Sequence, residues 1–315
     1  MVGKLARVRA NAIIVGAEKA GTTSLFVSLS GHPEVAPASV KETRYFSPLI
    51  YGSEPEAIAI YDEYFADSGD RPVRLEATPR YCTGGRVVAE RIDGVCGPTT
   101  RVIVVLREPV ARFASFFAFQ KARLRLPEDL TVEQYLERSV SLSEKELRDP
   151  ANHPWSAFAG GCYADWLPDW HAVFGDRLRV LFFEQLTKEP EAGLRAVASF
   201  LGIDPDTFPT YELASENRTT AYKRAGFQRA ALAVNDRLER FLRRHYRFRA
   251  RMRSIYYRIN GKAAARIALP DPVRAELERR YREPNVRLAA QLRTMGYTLG
   301  PSWLEASGAQ YSSAE

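Results

Sequence analysis

The stretch Ala12-Ile-Ile-Val-Gly-Ala-Glu-Lys-Ala-Gly-Thr-Thr-Ser24 decides the fold, because an apolar run passes directly into a glycine-rich loop. Apolar spacing predicts a strand at Ala12–Val15 and a helix at Thr23–Ser30, with the loop between them. Such a loop can aim successive backbone N–H groups at an anion, and the helix N-terminus adds the positive end of its dipole. Gly16 and Gly21 would permit the tight turn and a close approach of the backbone. The stretch therefore predicts a phosphate-binding loop.

The loop has the glycine spacing of a Walker A loop, GxxxxGK[ST], but lacks its lysine. Thr22 stands where that lysine would be, and the lysine of this loop is Lys19, three residues earlier. Hydrolysis of ATP or GTP with Mg²⁺ needs the lysine beside the Ser/Thr metal ligand. The pattern therefore favours a phosphate-binding loop that serves another reaction. The alternative is a Thr/Ser-capped helix after a glycine turn.

Further apolar runs place the loop in an α/β fold. Arg101–Leu106 and Leu178–Phe183 are candidate strands, and near-continuous β-branched runs are typical of strands buried in a parallel sheet. Helical patterns follow at Val110–Lys121 and Glu191–Leu201, and again near the C-terminus at Val273–Arg293. We therefore expect a central parallel sheet flanked by helices, a P-loop-like nucleotide site and a helical C-terminal part.

A second polar motif, Arg107-Glu-Pro-Val-Ala-Arg-Phe-Ala-Ser115, follows the second strand directly. In open α/β sheets, ligands bind outside the carboxyl ends of strands. Arg107 lies at such an end, and Ser115 lies one or two turns into the next helix. A guanidinium and a hydroxyl that converge there can hold a second phosphate. On this motif alone, an Arg–Glu surface pair with a helix-facing serine is an equal alternative.

Together the two motifs resemble those of the sulfotransferases that use 3′-phosphoadenosine 5′-phosphosulfate (PAPS). Gly16–Leu25 is similar to their 5′-phosphosulfate loop, and Leu106–Phe117 is similar to their 3′-phosphate motif, RxPxxRxxS. Lys41–Phe46 resembles the K-E-x-x-[FY]-F segment of the carbohydrate (heparan-type) and bacterial branches, and Glu76–Tyr81 resembles their E-x-[ST]-P-x-Y segment. The resemblance covers roughly residues 10–300.

The resemblance implies PAPS as the donor of a sulfuryl group, 3′,5′-adenosine bisphosphate (PAP) as the product, and no metal. Lys19 is implied to be catalytic, because it can neutralise charge on the departing 5′-phosphate. The implied donor contacts lie in the loop, the second motif and a late basic loop: Lys19, Ala20, Gly21, Thr22, Thr23, Ser24, Arg107, Ser115, Arg218, Lys223 and Arg224. Sulfuryl transfer is an in-line displacement, so positioning and charge stabilisation dominate, as in phosphoryl transfer.

The acceptor hydroxyl needs a base, and the resemblance implies Glu42. The positive charge of Lys19 would favour the ionised form of the Glu42 carboxylate. The alternative is that Glu42 only pairs with Lys41 or Arg44. Some carbohydrate sulfotransferases have a lysine where this chain has Ala77, so a second active-site lysine is absent or supplied elsewhere.

The acceptor is expected to be a hydroxyl or amine of a carbohydrate or glycolipid. The candidate acceptor-binding residues are Glu76, His153, Trp155 and Tyr163. His153 is also the alternative base, and the aromatic side chains are equally compatible with a place in the core.

The composition sets several other classes aside. The chain has 315 residues, of which 45% are hydrophobic and 26% are charged, which is typical of a soluble globular protein. The early apolar run is too short for a signal-peptide core or a membrane span. Three cysteines without CxxC spacing and four scattered histidines predict neither a disulfide framework nor a metal site. A cytoplasmic location is therefore expected.

The formal net charge of +7 is concentrated in one segment. Residues 221–260 hold twelve Lys/Arg and two Asp/Glu, so this segment carries +10 and the rest of the chain −3. We expect an Arg-rich helical segment within a single domain at residues 8–300, followed by a frayed tail at 301–315. The segment is either a solvated helix or a peripheral contact with the anionic inner face of a membrane. No nucleic-acid partner is expected, since no binding motif accompanies the charge.

Two rival functions stay open from the sequence. A P-loop-type nucleotide-dependent kinase predicts Mg²⁺ dependence and a lysine where this chain has Thr22. A non-catalytic protein that binds nucleotides or anionic membranes predicts donor binding without turnover.

Overall fold

The computed structural model describes residues 9–211, 213, 220–222, 261–263, 268–298 and 300–304. Within these residues, five parallel strands form one sheet in the order β2-β3-β1-β4-β5. The strands are β1 (Ala12–Gly16), β2 (Val35–Pro37), β3 (Val73–Ala77), β4 (Arg101–Leu106) and β5 (Leu178–Phe182). This sheet and its flanking helices confirm the predicted α/β class. The central strand β1 is buried throughout, which explains its near-continuous apolar sequence.

The helices of the described residues lie between and after the strands. They are α1 (Thr22–Ser30), α2 (Ile58–Glu63), α3 (Gly85–Cys96), α4 (Pro109–Ala122), α5 (Val132–Ser141), α6 (Glu144–Leu147), α7 (Leu167–Phe174), α8 (Phe183–Lys188), α9 (Pro190–Leu201) and α10 (Asp271–Thr294). Local chemistry fixes their ends: the Glu108 carboxylate caps the first turn of α4, and Gly202 ends α9 in the left-handed conformation.

Two core clusters hold these elements together. The larger one surrounds the sheet and includes the interior residues of all five strands. The smaller one joins α4 and α5 to α10, through residues such as Phe113, Tyr135 and Leu277. The C-terminal helix is therefore part of the packed fold, as predicted.

Strand β3 escapes the sequence analysis because charged residues alternate with apolar ones in Val73-Arg-Leu-Glu-Ala77. Leu75, Glu76 and Ala77 are nevertheless all buried. A carboxylate inside a core needs hydrogen-bond donors, and those donors come from residues that are distant in sequence.

The C-terminal part departs from two predictions. Leu304 is fully buried in the larger core, so residues 301–304 are packed rather than frayed. Residues 220–222 form a strand that pairs antiparallel with residues 261–263, so the Arg-rich segment begins in a strand rather than a helix. The rest of that segment, residues 223–260, lies outside the described residues. Among the described helices, none has the length and apolar character needed to cross a membrane.

Candidate active site

The predicted phosphate loop and its partner motif meet at the carboxyl edge of the sheet. β1 lies between β3 and β4, and the chain leaves it first towards β2, so this edge is the switch point where open sheets bind ligands. After β1, the Ala17 N–H donates to the Val105 carbonyl of β4 (2.8 Å). After β3, the Thr78 N–H donates to the Ile14 carbonyl of β1 (3.1 Å). The loops after all three strands therefore share one site.

Gly21 makes the turn from the loop into α1. Its φ is +84°, and a Cβ atom there would lie 2.7 Å from the Phe183 ring. A residue other than glycine would be both strained and crowded. Helix α1 begins at the next residue, Thr22, so its first N–H groups, which have no partner within the helix, point towards the loop. Ala20 is buried and donates its own N–H to Ala17, so it shapes the cradle.

The side chain of Lys19 lies over aromatic carbon. Its Nζ is 4.4 Å from the centre of the Phe119 ring of α4. Burial, and then the charge of Arg107, lower the pKa of Lys19 to about 8, although Glu18 and Glu42 act in the opposite direction. Lys19 is therefore a partly desolvated cation, and an anion beside it would be strongly attracted.

Arg107 joins the two motifs. Its guanidinium donates to the Lys19 carbonyl (2.8 Å) and lies over the Phe183 ring, 4.7 Å from its centre. Burial lowers the pKa of Arg107. The backbone of Arg107 is held by Tyr163, whose hydroxyl donates to the Arg107 carbonyl (2.8 Å). Tyr163 is only 1% exposed, so the acceptor contact predicted for it has almost no surface to use; the side chain supports Arg107 instead.

The helix that follows Arg107 turns Ser115 towards the same loop. Arg112 and Phe119 lie three and four residues away on α4, so they share a face with Ser115. Both contact the loop, since Arg112 donates to the Glu18 carbonyl (3.3 Å) and Phe119 lies beneath Lys19. The predicted pairing of Arg107 and Ser115 around one ligand is therefore geometrically consistent.

The sequence analysis missed Glu18 and Arg112. His153 Nε2 lies 3.1 Å from the Glu18 carboxylate, which can only accept, so the imidazole donates. Burial acts to raise the pKa of Glu18, but His153, Arg80 and Arg112 hold it well below its usual range. Arg112 is fully buried and also donates to the Ala157 carbonyl. These contacts hold the phosphate loop against residues 153–157. No local sequence pattern indicates that Glu18 and His153, which are 135 residues apart, would pair.

Glu42 lies on the β3 side of the site. Its N–H donates to the Ala77 carbonyl at the end of β3 (3.0 Å). Its carboxylate accepts from Lys41 (3.1 Å) and from Arg44 (3.4 Å), so the alternative pairings are both present. Partial burial acts to raise the pKa of Glu42, but Lys41 and Arg44 lower it to about 2. The side chain is 37% exposed, so a charged carboxylate faces the open edge.

Glu76 organises the segment that carries Glu42. Its carboxylate is 0% exposed and accepts from four hydroxyls: Thr43 (2.5 Å), Tyr61 (2.5 Å), Tyr81 (2.8 Å) and Thr78 (3.1 Å). Burial raises the pKa of Glu76. The acceptor contact predicted for Glu76 has no exposed surface to use. The side chain instead ties Thr43, the neighbour of Glu42, to β3.

The family model of the sulfotransferase domain matches residues 9–228. The chain belongs to the sulfotransferase family. Heparan sulfate glucosamine 3-O-sulfotransferase 3A1 of Mus musculus is 32% identical over 197 residues, which cover 61% of this chain and 45% of that protein. The 3-O-sulfotransferase 6 of Mus musculus is 29% identical over 193 residues, covering 61% and 52% respectively. The chain thus spans about half the length of the curated relatives it matches.

A solved structure supports the sulfotransferase fold. The sulfotransferase from Alicyclobacillus acidocaldarius superimposes with a TM-score of 0.67 at 21% identity, covering 94% of this chain and 98% of that chain. At that identity the likeness shows the fold alone.

The remaining predicted residues of the sulfotransferase site divide into two groups. Trp155 stacks on Tyr135 within the smaller core cluster, with ring centres 5.5 Å apart, and its acceptor contact stays a prediction. Arg218, Lys223 and Arg224 lie outside the described residues.

Among the residues that the structure describes, no group of three or more His, Cys, Asp or Glu side chains could hold a metal ion. The expected independence from metals stays a prediction.

Proposed function

We propose that this sulfotransferase moves a sulfuryl group from PAPS to a hydroxyl, or an amine, of a carbohydrate or glycolipid. One observation carries the proposal: Arg107, from the second motif, donates to the carbonyl of Lys19, from the first, across 2.8 Å. The two motifs thereby form one cationic site beside the N-terminus of α1. The carbohydrate part rests on the relatives, which are named for the sulfation of heparan sulfate glucosamine.

The residues present fit a nucleotide with two phosphate-bearing positions. Gly21 leaves room where a Cβ would collide, and the N–H groups from Gly21 to Ser24 open towards the loop. These groups would hold the 5′-phosphate, and Arg107 with Ser115 would hold the 3′-phosphate. The donor supplies an activated sulfuryl group, and PAP is the product.

Lys19 has the charge and position for the chemical step. A desolvated ammonium interacts with developing negative charge more strongly than a hydrated one. Its backbone is fixed by Arg107 and its side chain by Phe119. Lys19 would therefore neutralise charge on the departing 5′-phosphate without a large rearrangement.

Glu42 would take the proton of the acceptor. Its low pKa keeps the carboxylate ionised at neutral pH, and 37% of the side chain is exposed. The charge of Glu42 also acts to raise the pKa of Lys19, which supports a role for both groups at the same edge of the sheet. His153, the alternative base, already donates its Nε2 proton to Glu18, which makes Glu42 the better candidate.

The other functions have less support. A kinase of the P-loop class needs a lysine in place of Thr22, which is buried at the first position of α1. The non-catalytic alternative leaves the Lys19–Glu42 arrangement without a role. A cytoplasmic location, a peripheral membrane contact through residues 221–260 and the lack of a nucleic-acid partner stay predictions.

A transfer assay tests the proposal. The protein is incubated with ³⁵S-labelled PAPS and heparan-type oligosaccharides, in the presence of a chelator. We expect label on the saccharide with the wild type, and none above background with Glu42→Gln. Label that appears only when Mg²⁺ is added, or release of label to water alone, would contradict the proposal.

A further inference from the structure

The backbone of Lys19 has a left-handed conformation, with φ at +69°. This region is unfavourable for a residue with a Cβ atom, so surrounding contacts must hold it there. Two of these contacts reach the main chain: Arg107 donates to the Lys19 carbonyl (2.8 Å), and Arg112 donates to the Glu18 carbonyl (3.3 Å). A third reaches a side chain, because His153 donates its Nε2 proton to the Glu18 carboxylate (3.1 Å). Glu18 occupies a position that the glycine spacing of the loop leaves open, so this third contact needs its own explanation.

Helix α4 supports both ends of this arrangement. The Phe116 ring meets the His153 imidazole edge-on, with ring centres 5.5 Å apart. Three residues later, the Phe119 ring lies under the Lys19 ammonium, with its centre 4.4 Å from the nitrogen. Residues three apart are neighbours on one face of a helix. His153 and the Lys19 side chain therefore rest on the same face of α4, and a short path of packed groups joins them.

His153 holds Glu18 without cancelling its charge. Burial lowers the pKa of His153; Glu18 acts to raise it, and Arg80 and Arg125 lower it further. The imidazole is therefore mostly neutral at neutral pH and donates its hydrogen bond as an uncharged group. Burial acts to raise the pKa of Glu18, but His153, Arg80 and Arg112 keep it well below the usual range. The carboxylate thus stays ionised, and its negative charge acts on the residues around it.

Glu18 offsets part of the electrostatic cost of the Lys19 ammonium. Burial, the charge of Arg107 and the charge of Lys41 all lower the pKa of Lys19. Glu18 and Glu42 raise it, and the effect of Glu18 is the larger of the two. The resulting pKa of about 8 leaves the ammonium mostly protonated at neutral pH. Without Glu18, burial beside two cations would favour the neutral amine.

We propose that Glu18, held by His153, is a positioning residue for Lys19: it fixes the loop backbone and keeps the ammonium charged for the departing 5′-phosphate. This rests on the proposed function and adds to it the residues that set the charge of Lys19. Glu18 and His153 need not touch the donor, because both act through Lys19. His153 is then a hydrogen-bond donor, and an uncharged donor of similar reach should replace it in part.

The pH dependence of PAP binding separates this role from structural support alone. Calorimetry follows PAP affinity from about pH 6 to about pH 10 in the wild type and in Glu18→Gln. In the variant, the decline that marks deprotonation of Lys19 should move about one pH unit lower. At the acidic end of the range, its affinity should equal or exceed that of the wild type, since a negative charge beside the anionic ligand is gone. An unmoved decline, or the same loss of affinity at every pH, would overturn the proposal.

Two variants of His153 test the hydrogen bond to Glu18. His153→Phe keeps a ring against Phe116 but removes the donor, so kcat for sulfuryl transfer should fall about threefold to tenfold. KM for PAPS should change less, because the other donor contacts remain. His153→Gln offers an amide N–H in place of the Nε2 proton and should recover most of the lost kcat. No loss in His153→Phe, or an equal loss in both variants, would contradict this role of His153.

The controls keep this proposal distinct from the proposed function. Glu90→Gln, at an exposed acid of α3, should leave both kcat and the pH dependence unchanged. Acetylation of Lys19 by acetic anhydride, followed by peptide mass spectrometry, reports the charge of Lys19 without any nucleotide. Since the neutral amine is the form that reacts, this pH profile should also move lower in Glu18→Gln. Absence of PAP binding by the wild type would contradict the proposed function, and the acetylation profile would then decide whether Glu18 sets the charge of Lys19.

Discussion

The two sides of strand β1 are built for different tasks. On the β4 side, one arginine is partly buried and the other is fully buried, and both donate to backbone carbonyls: Arg107 to Lys19, and Arg112 to Glu18 and Ala157. On the β3 side, the organising group is an acid, because Glu76 is encircled by hydroxyls and Glu42 faces the open edge. Among the described residues, the buried Nε of Arg80 on this side has no hydrogen-bond partner, and neither has the buried Nε of Arg112 on the β4 side.

The difference indicates a division of labour. Cations that are fixed before the ligand arrives need little reorganisation, which suits a donor of constant structure. A partly exposed carboxylate, on a segment that hydrogen bonds hold in place, suits the removal of a proton from a more variable acceptor. Variants on one side should therefore change nucleotide binding, and variants on the other side should change turnover.

The largest effect is expected for Glu42→Gln on the β3 side. The amide cannot accept the acceptor proton, so turnover should fall by about a thousandfold. The affinity for PAP should stay within about twofold, since the β4 side is untouched. Initial rates with labelled PAPS and PAP calorimetry measure the two effects. Glu90→Gln, at an exposed acid of α3, is the matched control. Retained turnover in Glu42→Gln would make His153 the next candidate base.

Arg107→Ala should break the β4 side instead. It removes a guanidinium from the implied 3′-phosphate site, and charge-assisted hydrogen bonds of this kind correspond to about tenfold to a hundredfold in affinity. Calorimetry should detect that loss for PAP. The kcat at saturating PAPS should fall by a smaller factor, which reflects the loss of the hydrogen bond from Arg107 to the Lys19 carbonyl. If Arg107→Ala bound PAP normally but turned over slowly, that result would contradict the role of Arg107 in nucleotide binding.

The pH dependence of PAP binding should report Lys19. Its pKa of about 8 means that the ammonium is protonated below that pH and neutral above it. Affinity for PAP should therefore fall by about tenfold between about pH 8 and about pH 9.5. Lys19→Arg keeps its charge over this range, so its affinity should stay nearly flat. The same decline in both proteins would exclude Lys19 as its source.

The smallest effect is expected for Glu76→Gln. An amide cannot accept from four hydroxyls as a carboxylate does, and the mismatch should cost about 1–3 kcal/mol of folding free energy. For a domain of this size, that lowers Tm by a few degrees, or about 2–4 °C per kcal/mol. Turnover should fall moderately, because the Glu42 segment loosens, while PAP affinity should hold. Glu63→Gln, at an exposed acid of α2, is the control for calorimetric melting. An unchanged Tm would contradict the role of Glu76.

The two sides also differ in how far sequence alone could predict them. β1 and β4 are near-continuous apolar runs, and parallel strand ends must meet, so the approach of Arg107 to Lys19 was predictable across 88 residues. β3 carries a buried glutamate that matches no strand pattern. Its hydrogen-bond partners come from three separate segments, so the hydrogen bonds around Glu76 can be identified only from the folded structure.

The same limit applies to individual side chains. The carboxylate of Glu18 and the imidazole of His153 are far apart in sequence, and nothing in either local pattern indicates that they pair. The unsatisfied Nε of Arg80 is likewise a property of packing. Motif spacing predicts which backbone edges meet, whereas hydrogen-bond satisfaction depends on the folded structure.

Calorimetric titration of the wild-type protein with PAP and with ATP, both in chelator, tests the central claim most directly. The claim is that Lys19, the N-terminus of α1 and Arg107 form a site for a nucleotide that bears a 3′-phosphate. We expect micromolar binding of PAP and no measurable binding of ATP. The opposite ranking, or ATP binding that appears when Mg²⁺ replaces the chelator, would contradict the claim.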